Sequence, residues 1–321
     1  MVIGRRLSKE SILGLVFLTM FVCMALFVPN FLGASNLRNM MFQLPEFGIL
    51  ALAMMVVILT SGIDLSLTYK ASLSGVIIAL ALSVGYPIPI AILLGLVVAL
   101  LCGLLNGFFV AIIGVSPILV TLGSMILFEG IGLGITRGSS ISGFPESYRV
   151  IGNEAIGPIP ISMIIFILVA ILTATLLNRT KWGRSVYMVG SNPVATLFSG
   201  IHTKRVLMFV YFYGALLACI AAVIMTSRYN AGRVDTGSAY LLQSVAAAVL
   251  GGTQIQGGYG KVLGTVYAVG IFQLISSGLN LLGTPRTFVN VLMGAILILV
   301  LIMNYYSDKL QQKKSSASAA A

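Results

Sequence analysis

The sequence has very little charge. Only 8% of its 321 residues are Asp, Glu, Lys or Arg, against roughly 25% in an ordinary soluble domain. A chain this poor in charge cannot solvate its own surface in water, so lipid is its expected solvent. It has a single histidine, His202, and three cysteines, Cys23, Cys102 and Cys219, all inside apolar runs. No His/Cys cluster exists for a metal, and the cysteines read as small core residues rather than disulfide partners. No glycine-lysine phosphate loop, HExxH helix or GxSxG elbow occurs. The sequence therefore implies no enzyme, no metal, no cofactor and no ATP hydrolysis of its own.

What is present is hydrophobic sequence. Apolar residues make up 58% of the chain. A membrane helix needs about 20 of them in succession. Ten candidate spans follow: 11–28, 46–61, 66–84, 88–112, 117–136, 158–177, 206–227, 240–253, 262–282 and 287–305. The third is interrupted by Thr68, Tyr69, Lys70, Ser72 and Ser74, and the eighth is short. The stretch 11–28 lacks a small-residue cleavage site and reads as a retained first helix. The expected fold is all-α and polytopic, one transmembrane domain over 1–321.

The net charge of +11 fits membrane orientation better than nucleic-acid binding, because the cations sit in short loops and tails. With ten spans and both termini in the cytoplasm, the inside receives Arg5, Arg6, Lys9, Lys70, Arg179, Lys181, Arg184, Lys204, Arg205, Lys261, Lys309, Lys313 and Lys314. The outside receives Arg38, Arg137, Arg149, Arg228, Arg233 and Arg286. On this reading 1–10 is a cytoplasmic N-terminus, 137–157 an external surface cap, 178–205 a cytoplasmic loop and 306–321 a cytoplasmic tail.

Four features could carry function. In the 178–205 loop, Asn192 suits an N-cap, Pro193 the first helical position and Gly200 the C-terminal cap. Between them Val194, Leu197 and Phe198 make one apolar stripe, which fits either a groove on a cytoplasmic partner or the membrane interface. Asp64 sits at a glycine-containing break, as a pathway acid or as the cap of the third span. A second break lies at 249–265. Asn106, Glu129, Gln273, Ser276, Ser277 and Asn280 are polar residues inside apolar runs. They would line a wet pathway or bond helix to helix. An ion-coupled carrier would have only Asp64 and Glu129 to work with.

The segments LTSGIDLSL, GSNPVATLFSGI, AAAVLGGTQIQGGYGKVLGT and SSGLNLLG resemble permease subunits of bacterial ribose-type importers, a group within the ATP-binding-cassette superfamily that handles monosaccharides and autoinducer-2. The resemblance spans nearly the whole chain. It implies a second permease subunit, identical or paralogous, a cytoplasmic ATPase, a periplasmic substrate-binding protein and an inner-membrane location. It implies that Asn192, Pro193, Val194, Leu197, Phe198 and Gly200 couple to the ATPase. Asp64, Ser66, Asn106, Glu129, Gln273 and Asn280 would then serve the pathway or its gate. The implied cargo is a monosaccharide or small polyol. Autoinducer-2, a nucleoside or an amino acid is the alternative. Two departures stand out: Leu67, Thr68, Tyr69 and Lys70 follow SGIDLS where the group has Val-Gly-Ser, and Glu129 precedes Gly130 where Arg is frequent.

Overall fold

The computed structural model describes residues 9–285 and, beyond them, 287–289, 291–296, 298, 299 and 302. Twelve α-helices are described along the chain through residue 285. They are α1 (Lys9–Phe27), α2 (Ala34–Ile58), α3 (Leu67–Ser83), α4 (Ile88–Gly107), α5 (Pro117–Thr136), α6 (Glu146–Asn153), α7 (Ile161–Arg179), α8 (Lys181–Ser191), α9 (Pro193–Phe198), α10 (Thr203–Tyr229), α11 (Tyr240–Leu250) and α12 (Val262–Leu281). A π-helical turn, Phe108–Ile113, extends α4. Seven helices are long and apolar enough to cross a membrane, and Leu67–Ser83, Tyr240–Leu250 and Thr287–Ile296 are shorter apolar helices. The tenth candidate, 287–305, lies only partly within the described residues. The tail 306–321 and residues 1–8 lie outside them.

α2 and α10 form the centre. Every residue from Ile49 to Leu59 is fully buried, as is most of α10 from Val210 to Ser227. α3 and α4 pack on each other and on α10, while α11 and α12 pack on α2. This explains the polar interruptions of the third span. α3 faces protein rather than lipid, so Ser74 donates to the Gly95 carbonyl at 2.9 Å and Ser72 to the Thr236 carbonyl. Large apolar side chains on α1, α4, α5 and α7 remain exposed, as a lipid-facing layer requires.

Four expectations need correction. The second helix begins at Ala34 and runs through Pro45, although a proline usually marks a helix start. Packing on both sides of α2 holds the helix together there. Lys70 is not a cytoplasmic surface charge: it is fully buried. Cys23 is exposed rather than part of a core, because α1 packs mainly on α12 and shows its other face. The 137–157 segment is more than a loose cap. Ile141–Ser142 pairs antiparallel with Ala231–Gly232, and Ala155–Ile156 with Ile159–Pro160. α6 is bolted to α10 through the buried Tyr148 hydroxyl, 2.6 Å from Thr226 Oγ1, and through Gly152 N–H, which donates to Ser227 Oγ at 2.8 Å.

Candidate coupling and translocation site

The 178–205 segment contains two helices, of which the sequence pattern revealed only the second. Thr180 caps α8 by accepting from Gly183 N–H. Asn192 then caps α9, its Oδ1 accepting from Ala195 N–H at 2.9 Å. Pro193 starts the helix and Gly200 ends it at φ +81°. Thr196 faces inward. Val194, Leu197 and Phe198 face outward, exposed by 62%, 57% and 87%. The apolar stripe is therefore on the surface and covers no part of the chain's own core.

α8 ties this surface helix to the bundle. A Cβ on Gly190 would stand 1.8 Å from the Leu59 carbonyl oxygen and 2.5 Å from Gly258 N, so α8 can touch those backbones only with glycine there. Ser61, at φ +62°, donates to the carbonyls of Gly190 and Gln256. Gly258 N–H donates to the Leu59 carbonyl at 2.9 Å. Tyr187 donates to the Gly260 carbonyl at 2.9 Å. Burial pushes the Tyr187 hydroxyl above its usual range, with Tyr259 adding to it, so it stays a donor. The break at Asp64 and the segments 178–205 and 249–265, all singled out in the sequence, thus meet at one end of the bundle. Gly190→Ala is expected to destabilise the protein by about 1–3 kcal/mol through overpacking against backbone that cannot yield, read as a lower thermal midpoint of the purified chain.

Next to this junction lies a buried charge network. Asp64 and Lys70 are both fully buried and form an ion pair. Asp64 Oδ1 also accepts from Ser66 N–H at 3.1 Å and from Ser66 Oγ at 2.6 Å. Asn106 Nδ2 donates to Ser66 Oγ at 2.8 Å. The Lys70 ammonium lies 5.7 Å from the Tyr211 ring centroid. Asp64, Ser66 and Asn106 therefore converge, and Lys70 completes their set. The carboxylate is therefore ion-paired inside the chain rather than free.

The other pathway candidates lie elsewhere. Glu129 is half-buried and lines a recess of about 360 Å³ with Thr136, Ser139, Ser140, Arg233 and Asp235, at the opposite end of the bundle. It faces that recess rather than the helix interior. Gln273 is buried and donates to Gln43 Oε1 at 3.2 Å. Ser277 donates to Asn36 Oδ1 at 2.8 Å. Both stitch α12 to α2. Asn280 is exposed rather than buried, because it sits in the last turn of α12, where packing thins out.

One buried acid escaped sequence analysis. Glu46 bonds Arg228 Nη1 at 3.1 Å, the Tyr229 hydroxyl at 2.8 Å and the Tyr240 hydroxyl at 3.2 Å. It joins the middle of the central α2 to α10 and α11. Its partners lie some 180 positions away, beyond any local pattern. Outside the spans, the Glu10 carboxylate at 3.0 Å holds the Lys261 ammonium above its usual range. Among the described residues, no cluster of three potential metal ligands occurs.

A family model described as "Branched-chain amino acid transport system / permease component" matches residues 36–301. The chain is 35% identical over 284 residues to the autoinducer 2 import system permease protein LsrD of Yersinia enterocolitica, covering 84% of this chain and 86% of that protein. It is 33% identical over 309 residues to LsrD of Yersinia pseudotuberculosis serotype O:3, covering 90% and 93%. LsrD of Yersinia pestis (strain Pestoides F) is 32% identical over the same coverage. No solved structure matches. With its bundle of apolar helices and matches spanning most of its length, the chain belongs to this permease family and is a multi-pass inner-membrane transport subunit of a ribose-type ATP-binding-cassette importer, whose ATPase is a separate chain.

Proposed function

We propose that this permease carries autoinducer-2 or a closely related small polyol inward, driven by ATP hydrolysis on its partner. Relatives that cover most of the chain are named for autoinducer-2 import, which favours that cargo over an ordinary monosaccharide. The reading has the chain cross the membrane ten times with both termini in the cytoplasm. The 178–205 segment then faces the ATPase and the 137–157 segment the periplasmic binding protein. A second permease subunit completes the pathway.

The observation that carries the mechanism is the junction of α8 with the Leu59–Ser61 turn and the 256–260 loop. ATP-driven closure of the ATPase pulls on Val194, Leu197 and Phe198. α8 passes that displacement to the turn just before Asp64, because Gly190 leaves no slack against Leu59. Asp64, Ser66, Asn106 and Lys70 then act as the element that rearranges. The polar recess around Glu129 lies at the end where cargo enters. Its carboxylates and hydroxyls suit a hydroxylated neutral solute, and the departure at Glu129 is where selectivity for a polyol would differ from that for ribose. Weak contacts favour rapid passage.

Uptake by proteoliposomes holding this chain with its ATPase, second permease and binding protein tests the reading. ATP-dependent accumulation of autoinducer-2 over ribose is expected. Accumulation of ribose alone would overturn the cargo. Uptake that persists without ATP and collapses with the ion gradient would overturn the mechanism.

A further inference from the structure

At the end of the bundle where α8 and α9 lie, a cleft of about 400 Å³ opens on the outside of the molecule between α4 and α10. Leu104 and Ile112 form one wall, and Phe209 and Phe212 the other. Lys204 and Arg205 stand at its rim. The π-helical turn Phe108–Ile113 leaves the Ile112 carbonyl to accept from Lys204 Nζ at 3.2 Å, which holds that ammonium over the cleft. No carboxylate among the described residues pairs with either cation. An apolar crevice under two cations without a carboxylate partner among the described residues, on a surface that meets lipid, matches one kind of molecule: an acyl chain bearing a phosphate.

We propose that this cleft binds an anionic phospholipid, with an acyl chain against Leu104, Ile112 and Phe212 and the headgroup phosphate against Lys204 and Arg205. A second copy of the chain is a poorer occupant. Its exposed carboxylates among the described residues are Glu146, Glu154 and Asp235, all at the opposite end. The site also touches the coupling machinery. The Trp182 ring on α8 packs edge-on against Phe209, with centroids 5.3 Å apart, and against Tyr213 at 5.8 Å. A bound lipid would thus brace the helix that links α9 to the Asp64 turn. The proposal does not depend on the identity of the cargo.

Trp182 is the only tryptophan in the chain and lies one ring from the cleft, so its fluorescence reports occupancy directly. The full-length chain is reconstituted in phosphatidylcholine vesicles, and lipid brominated at mid-chain is added as either phosphatidylglycerol or phosphatidylcholine. Each cation near an anionic lipid contributes about fivefold. With Lys204 partly engaged by Ile112, half-maximal quenching is expected at about tenfold lower mole fraction of the anionic lipid. Lys204→Gln/Arg205→Gln should erase that difference, whereas Lys204→Arg/Arg205→Lys should keep it. Equal quenching of the unsubstituted chain by both lipids overturns the proposal, with no variant needed. So does a preference that survives in the glutamine pair. Absence of quenching by either lipid would mean that protein covers the cleft, and overturns it too.

Discussion

Replacing Leu197 and Phe198 together with aspartate is expected to abolish association with the ATPase and to leave the membrane bundle folded. The two effects separate because of where these side chains point. Both are largely exposed, and Phe198 is the more so at 87%. Loss of their apolar surface therefore removes nothing from the chain's own core. Against a partner groove the balance is different. Burying a side chain of this size contributes about 1.5–3 kcal/mol, so losing both costs about 4 kcal/mol even before two carboxylates must be desolvated. A loss of that size weakens binding about a thousandfold. The check is co-purification of the ATPase with the permease, beside the thermal midpoint of the permease alone. Normal co-purification in the double variant would refute coupling through α9. Loss of the Asn192 cap, by contrast, removes only about 1 kcal/mol from the helix, so Asn192→Ala should weaken the complex far less.

The difference between α9 and α8 shows what could be read in advance. α9 announces itself locally: Asn-Pro opens it, Gly200 closes it, and an apolar stripe lies between. α8 contains Gly183 and Gly190, residues that disfavour helix on intrinsic grounds. What makes it necessary is contact with Leu59 and Gly258, far away in sequence. The positions of most spans were legible because hydropathy is a local property. Pro45 concealed the first half of α2. Glu46 was hidden because its partners come from the far end of α10 and the start of α11. Lys70 misled for a related reason. A cation near a predicted span end counts as a surface charge, and only the chain folding back from Asp64 into α3 makes it an internal partner. The grouping of Asp64 with Ser66 and Asn106 likewise depends on α4 lying against α3.

Asp64 and Lys70 should be strongly coupled, and single and double substitutions should show it. Asp64→Asn keeps an oxygen to accept from Ser66 but leaves the Lys70 ammonium buried without a counter-charge. Lys70→Met fills the space yet leaves the carboxylate unpaired. Removing one partner of a buried pair typically costs about 3–5 kcal/mol, whereas replacing both with neutral groups of similar volume is often neutral. Each single variant is therefore expected to lower the thermal midpoint and the yield of folded protein sharply. The double variant should recover most of that loss. Additive losses in the double variant would mean that the two charges act independently, and the geometry gives no room for that. Transport by the recovered double variant then separates two roles. If the pair only holds the Ser61–Ser66 turn against α3, uptake should return with folding. If the pair must part and re-form as α8 moves, the folded double variant should hydrolyse ATP through its partner without moving cargo. The second outcome is the expected one. The network lies beside the α8 junction, and a neutral pair would hold the turn in place without a charge-dependent alternative state.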